Sequence, residues 1–221
     1  MKILALEFSS AQRSVAVFEA GGPQGGSEMA EVIETGGQST RPFSMIEATL
    51  RQARWEREQI ECVAVGLGPG SYAGIRTAIA VAQGWQLAAH VKLAGISSVE
   101  CVAEQAQRLG LNGRVRVIVD AQRGEFYAAR YEIDLSELRQ VEGLRLVPEA
   151  EVRAWAQGTE TFVGPDLPGS LSGGRLIFPR AAMVARQVSR RTDFLPRDRL
   201  EPIYLRATSF VKASPPRKPV G

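Results

Sequence analysis

One stretch, CVAVGLGPGSYAGIRTAIAVAQGWQLAA at residues 62–89, constrains the fold of this chain more than any other. Its first four residues predict a buried parallel strand, because both faces of the run are apolar and it ends in glycines. The loop that follows contains Gly66, Gly68 and Gly70, which can take positive φ or let another backbone or a ligand come close. Ser71 then stands where a helix N-cap belongs, so the sequence predicts a strand, a tight loop and a helix in succession.

The predicted helix, residues 72–89, carries mostly small side chains. Small residues cover little area, so such a helix gains most when another helix or a sheet comes unusually close to its backbone. The pattern therefore indicates a packing surface. The residues leave open whether that surface serves the core of the chain itself or a partner protein.

The start of this helix also has the properties of an anion site, since its free N–H groups and its dipole favour negative charge. The spacing matches neither common phosphate motif, however. No Lys-Ser/Thr pair follows as in a P-loop, and Gly68, Gly70 and Gly74 do not fit G-x-G-x-x-G. Phosphate binding is thus one hypothesis for the loop, and a purely structural turn is the other.

The composition is that of a globular chain. Its 221 residues allow one domain or two small ones, and 44% apolar residues suffice for a core. Cys62 and Cys101 are the only cysteines, and their apolar surroundings predict buried thiols in a reducing compartment. No signal peptide is visible, and no apolar run approaches the roughly 20 residues of a membrane span, so we expect a cytoplasmic protein.

The charge is weakly positive, with a formal net charge of +3 at pH 7. Much of the excess is local, because five arginines lie within residues 186–199 and further basic residues follow towards the end of the chain. Such a cluster could meet RNA phosphates, or it could simply be a solvated face.

Strand and helix patterns alternate along the chain, which predicts an α/β fold. The first half reads as β-β-β-α-β-α, in which Thr40 is expected to cap the first helix and Pro42 to lie in its first turn. The second half repeats the scheme, with a helix after Ser97, two strands joined by the turn DAQRG, and further helices over residues 149–157 and 181–189. No element is assigned between residues 132 and 148.

The segment GLGPGSYAGIRTAIAVAQGWQLA closely resembles the signature of the TsaB family, also called YeaZ. Other segments agree with that family in order along the chain: ILALEFSS, LAGISSVE, VDAQRGEFYAARY and EPIYLR. The resemblance runs from Ile3 to Arg206 and so covers nearly the whole chain.

The resemblance implies a fold of two similar α/β lobes of the actin, sugar kinase and Hsp70 superfamily, which are ribonuclease H-like. We expect an N-terminal lobe over residues 1–95, a C-terminal lobe over residues 96–206 and a disordered tail over residues 207–221. It also implies a function as a non-catalytic subunit of the tRNA N6-threonylcarbamoyladenosine transferase complex. There it would bind and activate TsaD, together with the ATPase TsaE, with tRNA reached through the complex and no cofactor of its own. Self-association of the isolated chain is left open.

Two neighbouring helical surfaces are the expected interface with TsaD. The amphipathic helix before the central strand presents one apolar stripe, and the small-residue helix presents the other. The interface residues predicted on them are Phe43, Ile46, Leu50, Ala53, Ile75, Ile79, Ala82 and Gln86.

A nucleotide or anion site is a second expectation from the resemblance, since the first hairpin of that superfamily carries an acid and hydroxyls near the phosphates. Here Glu7 replaces the usual Asp and Phe8 the usual Thr. The candidate residues are Glu7, Ser9, Ser10, Gly68, Gly70, Ser71, Gly74 and Asp120. For both acids the alternative is a structural role, in which the carboxylate accepts hydrogen bonds within its own turn.

The rival class is an enzyme, either a small-molecule kinase or a peptidase, that uses the loop from Gly68 to Gly74. A serine peptidase would need a base for Ser71, and His90 is the chain's single histidine. TsaD itself carries an H-x-x-x-H metal motif, which one histidine cannot provide. A histidine at the end of a helix is also explained by the helix dipole, so His90 has a structural alternative.

Overall fold

The first of two sheets is formed by strands from the N-terminal part of the chain. In a computed structural model, residues 1–19, 21, 28–36, 41–171, 173–196 and 199–205 are described. The first sheet has the strand order β3-β2-β1-β4-β5, in which β1 pairs antiparallel with β2 and parallel with β4. Its strands are β1 (Lys2–Glu7), β2 (Gln12–Glu19), β3 (Glu28–Thr35), β4 (Cys62–Gly66) and β5 (Lys92–Ile96).

The second sheet repeats this arrangement strand for strand. Its order is β8-β7-β6-β9-β10, again with two antiparallel pairs on one side of the central strand and two parallel pairs on the other. The strands are β6 (Gly113–Asp120), β7 (Glu125–Ile133), β8 (Leu138–Pro148), β9 (Thr161–Gly164) and β10 (Arg175–Leu176). The prediction of two similar α/β lobes is therefore confirmed.

Five helices cover the sheets in layers. They are α1 (Pro42–Ala53), α2 (Tyr72–Ala89), α3 (Ser98–Arg108), α4 (Glu149–Trp155) and α5 (Ala181–Val188), with a short 3₁₀ turn at Arg57–Gln59. Helices α1 and α2 cover the outer face of the first sheet, and α4 covers the outer face of the second. Helices α3 and α5 lie between the two sheets. The order of layers is thus helix, sheet, helix, sheet, helix.

The strands at the centre of the first sheet are apolar on both faces because helices cover both. In β1, Leu4 and Leu6 contact α1 and α2, whereas Ile3 and Ala5 contact α5. This alternation is the two-residue period of a strand. It explains why the β1 and β4 sequences read as continuous apolar runs.

The last helix of each lobe packs on the sheet of the other lobe. Helix α3 follows β5 of the first sheet but packs against the second, and α5 follows β10 of the second sheet but packs against the first. The start of α5 is fixed to the first sheet by hydrogen bonds from its backbone, from Ala181 N–H to Ser14 Oγ at 2.8 Å and from Ala182 N–H to Glu31 Oε1 at 3.1 Å.

The chain after α5 also contacts the first sheet. Leu195 pairs with Leu93 of β5, and Leu200 is buried in the core that α1 and α2 share with the first sheet. Part of the expected C-terminal lobe, residues 96–206, therefore packs on the sheet of the N-terminal lobe. The predicted tail, residues 207–221, lies outside the described residues.

A network of charged side chains lies on the outer face of the second sheet. Arg116 in β6 is 3% exposed and donates to Glu160 at 2.7 Å and to Glu142 at 2.8 Å. Arg130 in β7 bridges the same two acids at 3.1 Å each. The Arg116 guanidinium lies 3.8 Å from the centre of the Trp155 ring in α4. A buried cation needs such partners, and the cation–π contact of Arg116 with Trp155 holds α4 on the sheet in addition to apolar contact.

Most elements agree with the sequence predictions, and the differences are local. Strands β8 and β10 were not predicted, and Arg41 rather than Thr40 is the N-cap of α1, Thr40 itself lying outside the described residues. Cys62 and Cys101 are buried free thiols, as predicted, and burial raises the pKa of Cys62 to about 12. No helix in the described part of the chain is both long enough and apolar enough to cross a membrane.

Candidate functional site

Glu7, the predicted nucleotide-site acid, is fully buried at the end of β1. Its Oε1 accepts the Ser9 N–H at 2.7 Å, and its Oε2 accepts the Ser98 hydroxyl at 2.8 Å. The Ser98 oxygen in turn accepts the Gly68 N–H at 3.0 Å. Burial raises the pKa of Glu7, and the hydrogen bonds from Ser9 and Ser98 lower it in part. Glu7 therefore connects three segments: the hairpin between β1 and β2, the loop between β4 and α2, which we term the glycine loop, and the start of α3. Its carboxylate is buried and does not face a cleft.

The glycine loop packs directly on the first hairpin. A Cβ on Gly70 would lie 2.1 Å from the Ser9 carbonyl oxygen, and a Cβ on Gly74 would lie 2.0 Å from the Phe8 carbonyl oxygen. The Ser71 N–H donates to that same Ser9 oxygen at 2.6 Å. Glycine is thus required at these positions because the chain's own backbone comes close. Of the N–H groups at the helix start, that of Ser71 is taken by a backbone carbonyl and that of Gly74 by the Ser71 hydroxyl.

Ser71 is the N-cap that the sequence predicted. Its hydroxyl accepts the Gly74 N–H at 3.3 Å. His90 is the C-cap of the same 18-residue helix, in the left-handed conformation. At 1.5 Å per residue the two capping residues are about 28 Å apart along the helix, so they cannot act as a nucleophile and its base. The peptidase alternative therefore has no support in the geometry.

A cleft between the lobes brings together five of the eight predicted nucleotide-site residues. It has a volume of about 430 Å³ and is lined by the hairpin between β1 and β2, the glycine loop and the chain at the ends of β6 and β9. The five are Ser9, Ser10, Gly70, Ser71 and Asp120. Glu7, Gly68 and Gly74 do not line it.

The cleft offers little to an anion. Ser9 and Ser10 are each 4% exposed, and the Ser10 hydroxyl donates to the Gln12 carbonyl at 2.7 Å. Asp120 accepts from the Gln122 backbone N–H at 2.7 Å, the turn-stabilising alternative considered above. Burial, and then the charge of Asp120, raise the pKa of Asp166 in the same cleft. The charged residues that line the cleft are thus two acids, Asp120 and Asp166, and one arginine, Arg13. The described residues contain no group of three or more side chains that could hold a metal ion.

The predicted partner interface is mostly interior, which corrects the choice of residues. Five of the eight residues are between 0% and 7% exposed in the core shared with the first sheet: Ile46, Leu50, Ile75, Ile79 and Ala82. Ala53 is half-buried against the same core, and Gln86 donates to the Val91 carbonyl at 3.3 Å beside the helix end. Only Phe43, 66% exposed, lies at the surface. The stripes selected by periodicity are the faces that hold α1 and α2 on their own sheet.

The opposite face of α2 presents a second stripe of small residues, which we term the outer stripe: Ala73, Thr77, Ala80, Gly84 and Ala88. All except the half-buried Thr77 are exposed. Their spacing of three and four residues places them on one side of the helix. The small residues of α2 thus line an exposed face that the predicted interface residues do not include.

A groove with a volume of about 500 Å³ runs between this stripe and α1. Phe43 forms one wall, Ala80, Gly84 and Ala88 form the other, and Ile46 lies at its floor. Leu87, 64% exposed, adds a second large apolar side chain to this side of the molecule. Exposed apolar residues in a group around a groove are typical of protein interaction sites.

The basic cluster after α5 is partly neutralised within the chain. Arg190 lies 3.6 Å from Glu104, and Arg191 lies 3.5 Å from Glu100. Arg197 lies outside the described residues. The solvated-face interpretation thus accounts for these two arginines without RNA.

The repeated five-strand order, with helices on both faces of each sheet, agrees with the fold of two similar α/β lobes that the resemblance implies. A family model described as TsaD, tRNA N6-adenosine threonylcarbamoyltransferase, matches residues 39–161. The chain belongs to the family that this model describes, and its relatives place it on the TsaB (YeaZ) side of that family.

Two relatives and one solved structure illustrate this placement. The tRNA threonylcarbamoyladenosine biosynthesis protein TsaB of Escherichia coli is 29% identical over 93% of this chain and 95% of its own length. TsaB of Haemophilus influenzae is 30% identical over 58% of this chain and 52% of its own length. The structure of YeaZ from Pseudomonas aeruginosa has a TM-score of 0.72 at 22% identity, covering 92% of this chain and 99% of that one. This last likeness concerns the fold alone.

Proposed function

We propose that this chain is a non-catalytic subunit in the biosynthesis of N6-threonylcarbamoyladenosine in tRNA. In this proposal it binds a TsaD-like transferase subunit and holds it in its active form, for modification of the adenosine beside the anticodon. The relatives' names refer to this biosynthesis. The observation that carries the proposal is the exposed groove between α1 and the outer stripe of α2.

The groove suits a helix of the partner. Because the outer stripe has almost no side-chain bulk, a second helix can approach the α2 backbone closely and gain dispersion contacts along its length. Phe43 and Leu87, 66% and 64% exposed, can serve as the large apolar anchors that interfaces of this kind contain. The buried stripes of α1 and α2 meanwhile hold both helices rigidly, so the surface is preformed.

The interior of the site supports a role without catalysis. The glycine loop is in contact with Ser9 and Phe8 backbone, and Ser71 and His90 lie at opposite ends of α2. Calorimetry of the isolated chain with ATP and magnesium tests the rival kinase hypothesis directly. We expect no binding heat, whereas tight binding of ATP would favour an enzyme over a scaffold.

The other components of the machinery enter through the transferase subunit. We propose that a TsaE-like ATPase joins the pair and that tRNA is bound by the assembled complex. Since Arg190 and Arg191 are already near Glu104 and Glu100, direct tRNA binding by the isolated chain should be weak. Without a partner, two copies of the chain can cover each other's grooves, so homodimerisation through the same surface is part of the proposal.

The substitution Gly84→Trp tests the surface. A Cβ on Gly84 would meet nothing within 4 Å, so the fold tolerates a side chain there, while an indole would block the groove. We expect Gly84→Trp to keep its melting temperature but to lose co-elution with the TsaD-like partner from the same organism. Ala150→Trp, at an exposed position in α4, is the matched control and should co-elute as the wild type does. Undiminished co-elution of Gly84→Trp would exclude this surface.

A further inference from the structure

A further cavity, separate from the groove beside α2 and from the cleft between the lobes, lies between α3, α5 and the β7–β8 hairpin. Its volume is about 420 Å³, within the range of small-molecule sites. The side chains that matter here are Glu100, Glu104, Tyr131, Gln140, Gln187 and Arg190. Its lining is mostly polar, and none of it comes from α1 or α2.

Tyr131 is the buried polar group of this cavity. The residue is 3% exposed, and its ring packs in the core formed by α3 and the second sheet. Its hydroxyl is buried and has no hydrogen-bond partner among the described residues. Burial, and then the nearby Glu100 and Cys101, raise the pKa of Tyr131. The phenol therefore stays protonated and can donate one hydrogen bond into the cavity.

The two acids of the cavity differ in how fully they are paired. Glu104 accepts from Arg108 at 3.1 Å and lies 3.6 Å from Arg190. Among the described residues Glu100 forms an ion pair with Arg191 alone, at 3.5 Å, and both of these side chains remain more than a third exposed. Burial raises the pKa of Glu100, and Arg191 lowers it only in part. A cation beside Glu100 would therefore be favoured, whereas Glu104 is already satisfied.

We propose that this cavity binds a small amine that also carries an oxygen acceptor, with the ammonium group beside Glu100 and the oxygen accepting the Tyr131 hydroxyl. The amide groups of Gln140 and Gln187 are available for the remainder of such a ligand. The Tyr131 hydroxyl offers a hydrogen-bond donor and Glu100 offers a carboxylate. A ligand that uses both groups therefore carries an acceptor oxygen and an ammonium group in the same molecule. This site is independent of the proposed partner surface, and either can fail without the other.

Ethanolamine is the simplest probe, because it contains only the ammonium group and the hydroxyl. Ethylamine lacks the oxygen and ethylene glycol lacks the charge, so the two serve as control probes. In a nuclear magnetic resonance titration of the full chain, we expect saturable shifts at Tyr131 and Glu100 with ethanolamine and at least tenfold weaker binding of each control. Equal binding of ethylamine or ethylene glycol, or no saturable shift with ethanolamine, would overturn the proposal.

Tyr131→Phe separates binding from folding. The substitution removes only a hydroxyl without a described partner, so the melting temperature should be unchanged or higher, while ethanolamine binding should weaken about tenfold. Tyr127→Phe, on the same strand but outside the cavity, is the matched control and should bind ethanolamine normally. A lower melting temperature for Tyr131→Phe would show that the hydroxyl has a structural role instead, and unchanged ethanolamine binding would show that the hydroxyl does not contact the ligand.

Discussion

The two lobes share one strand order but differ in what covers their outer faces. In the first lobe, β4 and β5 are connected by the long helix α2, and the outer layer ends in an exposed stripe of small residues. In the second lobe, the corresponding connection between β9 and β10 spans only residues 165–174. There the outer face is closed by the short helix α4 and by the buried cation Arg116 with its acids.

The two sheets share a strand order, but their outer layers differ in how much of the surface remains exposed. The second lobe satisfies its outer face internally, by apolar contact and by charge pairing. The first lobe also covers its sheet, with α1 and α2, but the outer stripe of α2 consists of small residues that are mostly exposed. A surface of that kind gains nothing for the isolated chain, which is the physical reason for proposing that a partner covers it.

The strand-end acids differ in the same way. Glu7 ends β1 and Asp120 ends β6, at equivalent positions of the two sheets. Glu7 is fully buried and ties three segments together, whereas Asp120 is half-buried in the cleft and stabilises only its own turn. The cross-link at Glu7 fixes the glycine loop, and through it the start of α2. The first lobe thus holds its outer helix from both the inner face and the N-terminal end.

The largest expected effect concerns the closed face of the second lobe. Arg116→Met should lower the free energy of unfolding by about 2–4 kcal/mol, because Glu142 and Glu160 lose their shared buried cation and Trp155 loses its contact. Chemical denaturation measures this. Arg139→Met, which removes an exposed pair with Glu132, is the control and should cost less than about 1 kcal/mol. Similar costs for both variants would show that the second lobe does not depend on its network.

A smaller loss is expected at the loop that positions α2. Gly70 has φ of +148°, and an added Cβ would lie 2.1 Å from the Ser9 carbonyl oxygen. Gly70→Ala should therefore lower stability by about 1–3 kcal/mol. Gly143→Ala in β8, where a Cβ meets nothing within 4 Å, should be nearly neutral. Thermal unfolding of both variants gives the comparison, and a neutral Gly70→Ala would mean that the loop can move away from the hairpin.

The extent of α2 could be predicted from the sequence, but its orientation could not. Ser71 is a good N-cap and the apolar run is continuous, so both helix ends follow from local chemistry. Small residues occur on every side of the helix, however, and apolar periodicity cannot tell which side is covered. Ile75 and Ile79 stood out as the larger side chains, and large apolar residues are the ones a core buries.

The remaining errors have the same physical origin. Strand β8 lies at the edge of its sheet, is mostly half-buried or exposed and does not alternate regularly between apolar and polar residues, so its local pattern is weak. The glycine loop has the local chemistry of an anion site, but whether a ligand or the Ser9 carbonyl lies against it depends on how the hairpin approaches. Likewise, the packing of α5 on the first sheet is a tertiary contact across more than 150 residues of chain, from Ser14 to Ala181. Contacts between segments far apart in the chain, such as the hairpin with the glycine loop and α5 with the first sheet, leave no signal in the local sequence.

The Glu7 cross-link gives a pH prediction. Because the pKa of Glu7 is raised in the folded chain, the folded state holds its proton to higher pH than the unfolded state does. Stability from this group is therefore highest below the unfolded pKa and falls as the pH rises from there through the folded pKa. Glu7→Gln should remove that fall, which amounts to at most about 1.4 kcal/mol per pH unit. Denaturation at several pH values, with the wild-type and variant curves subtracted, isolates it. An identical slope in both proteins would place the Glu7 pKa at its ordinary value.

The smallest expected effect is the most informative about the bare face of α2. Gly84 lies in the middle of the helix, where glycine is about 0.8–1.0 kcal/mol less favourable than alanine, and an added methyl group meets nothing within 4 Å. Gly84→Ala should therefore raise the melting temperature of the isolated chain. If a second helix packs against this position, the same methyl group should weaken the complex with the TsaD-like partner, so stability and binding change in opposite directions. Gly169→Ala, at another position with open space around the Cβ, should leave binding unchanged. A gain in stability with no loss of binding would mean that no partner backbone comes close to α2 at this point, and the bare stripe would then need a different explanation from close helix packing.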